Sequence, residues 1–370
     1  MSSARSLVVD ADGHVLEPAQ MWRDYLEPGL RSRAPSIERR PDGREDFVIE
    51  GKVISRFGIN RIGALGVGAV ERYADNCPGG FDPRARLADL DREGIDAAVL
   101  YPTLGLMLGG VESVVLYIGL CRAYNRWLAD YCSAAPQRLF GAAMIPVTGV
   151  EAAVAELKFS ALQLGHRAAF LRPNPWQGRK IYDQEWDPFW AAAADKNVGV
   201  GIHEGLAMNL PTVGVERFDD MACQHIVSHT LEMQCASLGL IAHGVLERFP
   251  SLRVAFLESG GGWVLPWLDR IEEHWESASF RRVLGAMKRP PFETFRRQCF
   301  VSFEADEKTL APHAAHCGAE TILWATDYPH PDGTFPGAVE KIREALSPLP
   351  EPSQRLVLGD NARRLYALPI

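Results

Sequence analysis

Short apolar segments alternate with longer segments of helical periodicity along most of the chain. The apolar segments are nearly continuous runs, which is typical of strands that helices cover on both faces of a sheet. Eight such strands are predicted, at Leu7–Asp10, Ala97–Tyr101, Gly141–Pro146, Ala168–Arg172, Val198–His203, Arg253–Glu258, Cys299–Phe303 and Ile322–Thr326.

The segments between these strands repeat apolar residues at the three- and four-residue spacing of a helix with one buried face. Strands that alternate with helices indicate a parallel sheet, and eight parallel strands close a barrel. We therefore predict an α/β protein in which residues 1–370 form a single (β/α)8 barrel domain. The helices are predicted at Val111–Ser133, Val150–Leu164, Asp187–Lys196, His225–Arg248, Trp263–Glu276 and Pro336–Leu346.

Residues 30–82 do not follow this alternation. Two short segments, Asp46–Glu50 and Lys52–Phe57, meet at Gly51 as the strands of a hairpin do. Long segments outside the regular pattern usually cover or shape a functional site. We predict that residues 30–82 are an insertion after the first strand, near the barrel mouth.

The composition is ordinary for a soluble globular protein, with 47% hydrophobic and 23% charged residues. The formal net charge of -8, without a basic stripe, argues against a nucleic-acid partner. The most apolar stretch, Val99–Leu120, contains Pro102, four glycines and Glu112, so no membrane span is expected. The seven cysteines form no C-x-x-C pair, and the N-terminus lacks the apolar core of a signal peptide. We therefore expect a cytoplasmic protein.

Side chains that can bind a metal ion stand at the ends of four predicted strands. Because these ends share one face of a barrel, residues far apart in sequence converge there. Asp12 and His14 are two residues apart on extended chain, so they point to the same side. Carboxylates and imidazoles suit divalent ions such as Zn, Fe, Mn or Co. The sequence thus predicts a metal site among these strand-end residues, which include Asp12, His14, His203, Glu258 and Asp327.

A second ion is also considered, because His225 and His229 are four residues apart on one predicted helical face. Either histidine, with Glu258 and His203, could bind an ion about 3.5–4 Å from the first. The alternative is a solvated helix face whose histidines are hydrogen-bonded. The sequence leaves both interpretations open.

Four further residues are candidates for contact with a small-molecule substrate. Arg172, at the end of the fourth strand, could bind a substrate carboxylate through two hydrogen bonds, or form a surface salt bridge. Glu17, shortly after His14, could contact the substrate or orient a metal ligand. His330 follows the eighth strand and Glu304 ends the seventh, so both belong to the same barrel face.

The sequence resembles the amidohydrolase superfamily, in the branch of aminocarboxymuconate-semialdehyde decarboxylase and the dihydroxybenzoate-type decarboxylases. The matching stretches are VVDADGHVLEP, GIHEG, GVLERFPSLRVAFLESGGG, ILWATDYPHPDG and GDNARRLYAL. The resemblance implies a distorted (β/α)8 TIM barrel with a divalent ion at the C-terminal face of its strands. It implies ligand roles for Asp12, His14, His203 and Asp327. Members of the branch are often dimers, so the resemblance also allows a homodimer.

One position departs from this resemblance. In the decarboxylases the sixth strand usually ends in a catalytic histidine before a glycine run, whereas this chain has Glu258 in LESGGG. A carboxylate with a raised pKa could act as the general acid or base there. It could equally bind or bridge a second ion.

Three functions follow from these patterns. We favour a metal-dependent hydrolase, in which a metal-activated water attacks an amide, ester or thioester and Glu258, Asp327 and His229 serve catalysis. Glu258 in place of the histidine, together with the His225 and His229 pair, favours this interpretation. The alternatives are a non-oxidative decarboxylase of an aromatic or unsaturated carboxylate, and a non-catalytic protein that retains the barrel and the ion.

Overall fold

The computed structural model describes residues 6–55, 58–67, 70–205 and 210–370. Within these residues, eight parallel strands form one sheet in the order of the sequence, β1 followed by β5 to β11. The strands are β1 (Val9–His14), β2 (Ser36–Arg39), β3 (Glu45–Ile49), β4 (Lys52–Val53), β5 (Ala97–Tyr101), β6 (Leu139–Met144), β7 (Ala168–Leu171), β8 (Gly199–Ile202), β9 (Val254–Phe256), β10 (Cys299–Glu304) and β11 (Ile322–Ala325).

Helices lie between consecutive strands and bury the outer face of the sheet. The predicted (β/α)8 barrel is therefore confirmed. Among the described helices none is long and apolar enough to cross a membrane. The helices are α1 (Met21–Tyr25), α2 (Pro78–Phe81), α3 (Pro83–Glu93), α4 (Val114–Cys132), α5 (Val150–Gln163), α6 (Asp187–Asp195), α7 (Met221–Ala242), α8 (Val245–Arg248), α9 (Val264–Glu276), α10 (Ala278–Arg281), α11 (Pro291–Gln298), α12 (Leu310–His316), α13 (Ala338–Leu346), α14 (Glu351–Arg355) and α15 (Asn361–Tyr366), with a π-helix at Leu356–Asp360.

The segment between β1 and β5 contains a small antiparallel sheet in the order β2, β3, β4. Strands β3 and β4 pair across Glu50 and Gly51, where the sequence pattern indicates a hairpin. The glycine at this turn has φ 75°, a left-handed conformation that glycine adopts without strain. Strand β2 pairs with β3 along its length. Phe57, the predicted end of the hairpin, lies outside the described residues.

The barrel closes where β1 and β11 lie side by side, and the buried Asp10 carboxylate joins them. Its Oδ1 accepts a hydrogen bond from the Thr326 backbone (3.1 Å), and its Oδ2 accepts one from the Thr326 hydroxyl (2.6 Å). A β-bulge interrupts β1 between Asp10 and Gly13. A Cβ atom on Gly13 would lie 2.9 Å from Asp10 Oδ2, so the close approach requires glycine. The carboxyl ends of β1 and β11 are thereby held next to each other.

Candidate metal centre

Five polar side chains from four strand ends meet at the C-terminal face of the barrel. Asp12 and His14 belong to β1, and His203 follows β8 directly. Glu258 lies two residues after β9, and Asp327 lies two residues after β11. The side chains are 0–11% exposed. The barrel thus brings together all five residues that the sequence singles out.

Glu258 and Asp327 both have a left-handed backbone, with φ 45° and 53°. Such a conformation is strained for a residue with a Cβ atom, by about 1–3 kcal/mol, and it tends to occur at functional sites. Surrounding hydrogen bonds hold both turns: the Glu258 N–H donates to Ser302 Oγ (3.0 Å), and the Tyr328 N–H donates to Thr326 Oγ1 (3.0 Å). The strain supports a functional reason for the direction of these two carboxylates.

Each of the five side chains has one buried atom without a hydrogen-bond partner among the described residues: Asp12 Oδ1, His14 Nε2, His203 Nε2, Glu258 Oε2 and Asp327 Oδ1. His14 Nε2 lies 3.7 Å from the Asp12 atom, 3.5 Å from the Asp327 atom and 3.9 Å from the Glu258 atom. His203 Nε2 lies 3.0 Å from the Glu258 atom and 3.7 Å from the Asp12 atom. Ligands about 2.1 Å from a tetrahedral ion are about 3.4 Å apart, so these spacings suit a divalent ion. The donors form two overlapping groups that share His14: Asp12 and His203 belong to one, and Glu258 and Asp327 to the other.

The two histidines are oriented by their other ring nitrogens. His14 Nδ1 lies 2.7 Å from the Pro102 carbonyl oxygen, and His203 Nδ1 contacts the Glu204 carbonyl oxygen. A carbonyl can only accept, so each Nδ1 donates its proton. In its neutral form a ring held in this way presents a lone pair at Nε2, as metal-binding histidines do.

The electrostatics of this cluster also favour a cation. Burial, with Glu258 adding to it, raises the pKa of Asp12 to about 8. Burial and the Glu258 carboxylate likewise raise the pKa of Asp327 well above its ordinary value. Burial opposes protonation of His203, yet Asp12 and Glu258 raise its pKa to about 9. A raised pKa means that these buried groups tend to hold a proton, because a buried carboxylate is stable only beside a positive charge. A divalent ion can supply that charge in place of the protons on Asp12, Asp327 and His203.

The second oxygen of Glu258 faces α7. Its Oε1 lies 3.5 Å from Nε2 of both His225 and His229. The two imidazole rings are stacked with their centroids 3.9 Å apart, as expected for neighbours on one helical face. His203 lies against the other oxygen, so the predicted second set reduces to His225, His229 and Glu258.

A cavity of about 800 Å³ opens above the cluster. Three arginines of the 30–82 segment, Arg39, Arg44 and Arg61, lie in its wall. The segment therefore contributes directly to the cavity. Apolar lining comes from Ile62, Val70, Leu106, Met107 and Met221, and polar lining near the cluster comes from Thr103, His225, His229, Glu258 and His330.

The structure does not place Arg172 or Glu17 among the described residues that line this cavity. The Arg172 guanidinium is buried and donates to Glu204 Oε1 (2.5 Å) and Asn174 Oδ1 (2.9 Å), so its ion pair is buried and is not a surface salt bridge. The Glu17 carboxylate accepts hydrogen bonds from the backbone N–H groups of residues 103–105. Both side chains hold neighbouring loops in place, and their contact with a substrate stays a prediction.

Glu304 ends β10 on the expected face, but it is not among the described residues that line the cavity. Burial, and then Glu258, raises the pKa of its carboxyl to about 8. The structure thus places Glu304 near the cluster without bringing it to the cavity surface.

Replacing Arg172 with Leu is expected to destabilise the fold rather than weaken substrate binding selectively. The change removes the buried positive charge opposite Glu204, and breaking a buried ion pair costs about 3–5 kcal/mol. Thermal unfolding of the variant should show a clear loss of stability. If the variant had unchanged stability and a raised KM, the hypothesis that Arg172 binds the substrate would be supported instead.

His330 contacts the metal-site cluster directly, which its place in the sequence after the eighth strand does not indicate. Its Nδ1 lies 2.7 Å from Asp327 Oδ1, and its Nε2 is hydrogen-bonded to Thr103 Oγ1 (2.9 Å). Its ring packs against that of His14 with centroids 4.1 Å apart. Burial lowers the pKa of His330, although Glu258 opposes this shift. The sequence contains no sign of Thr103, because the loop after β5 reaches the site only in the folded barrel.

The amidohydrolase family model matches residues 9–368. The chain belongs to this family. A 2-amino-3-carboxymuconate-6-semialdehyde decarboxylase of Dictyostelium discoideum is 25% identical to this amidohydrolase over 367 residues, which cover 98% of this chain and 92% of that protein. A γ-resorcylate decarboxylase of Rhodococcus jostii (strain RHA1) is 25% identical over 222 residues, which cover 57% and 67% of the two chains.

Solved structures share the fold of this amidohydrolase. An amidohydrolase from Mycobacterium avium subsp. paratuberculosis K-10 superimposes with a TM-score of 0.81 at 22% identity, covering 98% of this chain and 100% of that chain. A dihydroxybenzoic acid decarboxylase from Polaromonas sp. JS666, solved with bound manganese, has a TM-score of 0.68 at 18% identity and covers 99% and 98% of the two chains. The fold and the buried donor atoms together support a divalent metal in this amidohydrolase.

The comparisons overturn the hydrolase interpretation. The curated relatives of this amidohydrolase are decarboxylases, and one of them matches nearly the whole chain. Glu258 and the His225 and His229 pair favoured hydrolysis on sequence grounds. That reasoning was wrong because side chains that are able to bind a metal do not specify which reaction the protein catalyses.

Proposed function

We propose that this amidohydrolase is a metal-dependent, non-oxidative decarboxylase of an aromatic or unsaturated carboxylate. The observation that carries the proposal is the group of five buried donor atoms at the strand ends, next to a cavity that Glu258 helps to line. The decarboxylase that matches 98% of the chain supports this reaction class over others. Because its relatives are enzymes, the alternative of a non-catalytic binding protein has less support.

Asp12, His14, His203 and Asp327 would hold the ion, with Glu258 Oε2 beside them. When bound, the ion orients and polarises oxygen atoms of the substrate as a Lewis acid. Manganese suits this proposal because it is present in the dihydroxybenzoic acid decarboxylase structure. The mixed nitrogen and oxygen ligands also suit zinc or iron.

The cavity is large enough for a substituted ring, and its lining has an apolar part and a polar part. Leu106, Met107 and Met221 provide apolar contacts on one part of its surface. Such contacts exclude water from the ring and leave the polar cluster to orient the carboxylate. This division supports a substrate with an apolar, unsaturated skeleton and a carboxylate directed to the strand ends.

The carbon that loses CO₂ must receive a proton, and we assign this step to His330. Glu258 stands at the position where the family resemblance implies a catalytic histidine, so another acid is required. His330 lines the cavity, and the nearby carboxylate of Asp327 would stabilise its protonated ring. Its Nε2, which contacts Thr103, would give the proton to the carbon as the bond to CO₂ breaks. One carbon–carbon bond is replaced by one carbon–hydrogen bond, without an oxidant.

Replacing His330 with Asn is expected to lower kcat by about 10²–10³-fold, because a positioned acid typically contributes that much. Metal content should remain close to that of the wild type, since Asp12, His14, His203, Glu258 and Asp327 are all retained. The exposed His316 on α12 offers a control, and His316→Asn should have wild-type kinetics. Near wild-type kcat in the His330 variant would exclude it as the acid.

The proposed reaction is tested by incubating the manganese-loaded protein with a panel of hydroxybenzoates and unsaturated dicarboxylates while measuring CO₂ release. The same acids as methyl esters and amides test hydrolysis in parallel. We expect CO₂ from at least one free acid and no hydrolysis of the derivatives. Hydrolysis without CO₂ release would overturn the proposal.

A further inference from the structure

We propose that His225, His229 and Glu258 form a second metal site, so that Glu258 bridges two ions. The proposal concerns ion binding and is independent of which reaction the amidohydrolase performs. Its basis is the position of the Glu258 carboxylate between two sets of donor atoms. Oxygen Oε2 faces the buried cluster, whereas Oε1 faces the two histidines of α7.

The distances on the α7 side are those of a metal site. Oε1 of Glu258 lies 3.5 Å from Nε2 of each histidine, close to the separation of about 3.4 Å between ligands of a tetrahedral ion. Asp332 offers a fourth donor, because its Oδ2 lies 3.7 Å from His225 Nε2. Two imidazoles and the Glu258 carboxylate are a ligand set that suits zinc or manganese, and Asp332 lies beside it.

The orientation of the rings supports lone pairs at the Nε2 atoms. His229 Nδ1 lies 3.0 Å from the backbone carbonyl oxygen of His225, to which it can only donate. In the neutral ring, Nε2 then presents a lone pair to the Glu258 carboxylate. Two hydrogen-bond acceptors then face each other, the ring nitrogen and the carboxylate oxygen, and a cation between them would make this contact favourable.

Helix α7 holds both histidines before any ion binds. Asp220 caps the helix by accepting a hydrogen bond from the Cys223 N–H (2.8 Å), and the two rings stack one turn apart. A site built on a regular helix needs little rearrangement, so its ligands are preorganised. An ion here would lie about 3.5–4 Å from the first, as in other two-metal sites.

The second site is more open than the first. The His225 side chain is 32% exposed and the Asp332 side chain 59% exposed, whereas the histidines of the first site are fully buried. Because His225, His229 and Asp332 all line the cavity, the second ion would face the substrate. We therefore expect it to bind more weakly and to exchange faster than the first.

The test is a metal titration of the complete protein after removal of its metals. Manganese binding is followed by elemental analysis and by electron paramagnetic resonance, which distinguishes a magnetically coupled pair from an isolated ion. Wild-type protein is expected to bind two ions per chain with a coupled spectrum. The His225→Asn and His229→Asn variants should bind one ion with an isolated spectrum, whereas the control His243→Asn, just beyond the end of α7, should bind two.

Each outcome is decisive. One ion per chain in the wild type, unchanged in both variants, would overturn the second site and leave the first site and the proposed reaction intact. Absence of bound manganese in the wild type would overturn both sites. The partly exposed His225 provides the safer variant if His229→Asn fails to fold, which circular dichroism reports directly.

Discussion

The Glu258→Gln variant is expected to lose turnover by about 10³-fold or more, equivalent to about 4 kcal/mol of transition-state stabilisation. The carboxylate lies within 3.0–3.9 Å of donor atoms on four histidines, and an amide removes its negative charge from all of them. An amide nitrogen would also place a hydrogen-bond donor where a metal ligand is needed. The measurements are steady-state kinetics and bound metal per chain.

Glu304→Gln is the matched control, because it makes the same carboxyl-to-amide change on the same barrel face without changing the described cavity lining. We expect this variant to retain its metal and to lose far less activity. If Glu258→Gln kept wild-type activity and metal content, the central position of Glu258 in this account would be wrong.

Removal of the metal is expected to abolish CO₂ release, and manganese should restore it. Without an ion, the carboxyl groups of Asp12 and Asp327 lie buried beside Glu258 with His203 as their main source of positive charge. The substrate then has no cation to bind its carboxylate. Treatment with a chelator, followed by dialysis and metal addition, measures the effect directly.

The same experiment has a readout apart from activity. An ion that binds only the folded state stabilises it in proportion to the logarithm of its concentration over its dissociation constant. The metal-free protein should therefore melt at a lower temperature, and added manganese should raise it. A fully active metal-free protein with an unchanged melting temperature would contradict the role of the cluster.

The barrel itself is predictable because strands covered on both faces leave continuous apolar runs. Residues Ala97–Tyr101 were predicted with the bounds that β5 has, and every residue of β5 is buried. Strand β2 was missed because it pairs only through its backbone with β3 and its side chains are mostly exposed. Its sequence, SIER, therefore carries no apolar pattern.

The ends of helices and strands were harder to predict from the sequence than the presence of these elements. One helix was predicted over His225–Arg248, but the chain turns at Gly244, which has φ 72°, and α8 begins at Val245. The predicted sixth strand ran to Glu258, whereas β9 ends at Phe256 because Glu258 adopts a left-handed backbone. Neither change of direction leaves a periodic signal in the sequence.

The convergence of the strand-end residues was predictable from barrel geometry, but their detailed partners were not. Arg172 was predicted to bind a substrate carboxylate or to form a surface salt bridge, because a sequence does not reveal that Glu204 and Asn174 surround its guanidinium. The closeness of His330 to Asp327 depends on the path of the loop after β11. Such loop contacts form only when the barrel has closed.

The most direct test of the proposed decarboxylation uses the manganese-loaded protein in deuterated water with a substrate found by the CO₂ screen. Nuclear magnetic resonance then follows the carbon that carried the carboxylate. The account predicts one CO₂ released for each product molecule, with one deuterium at that carbon and no oxidant consumed. A product that retains the carboxyl carbon, as an acid freed from an ester or amide does, would contradict it.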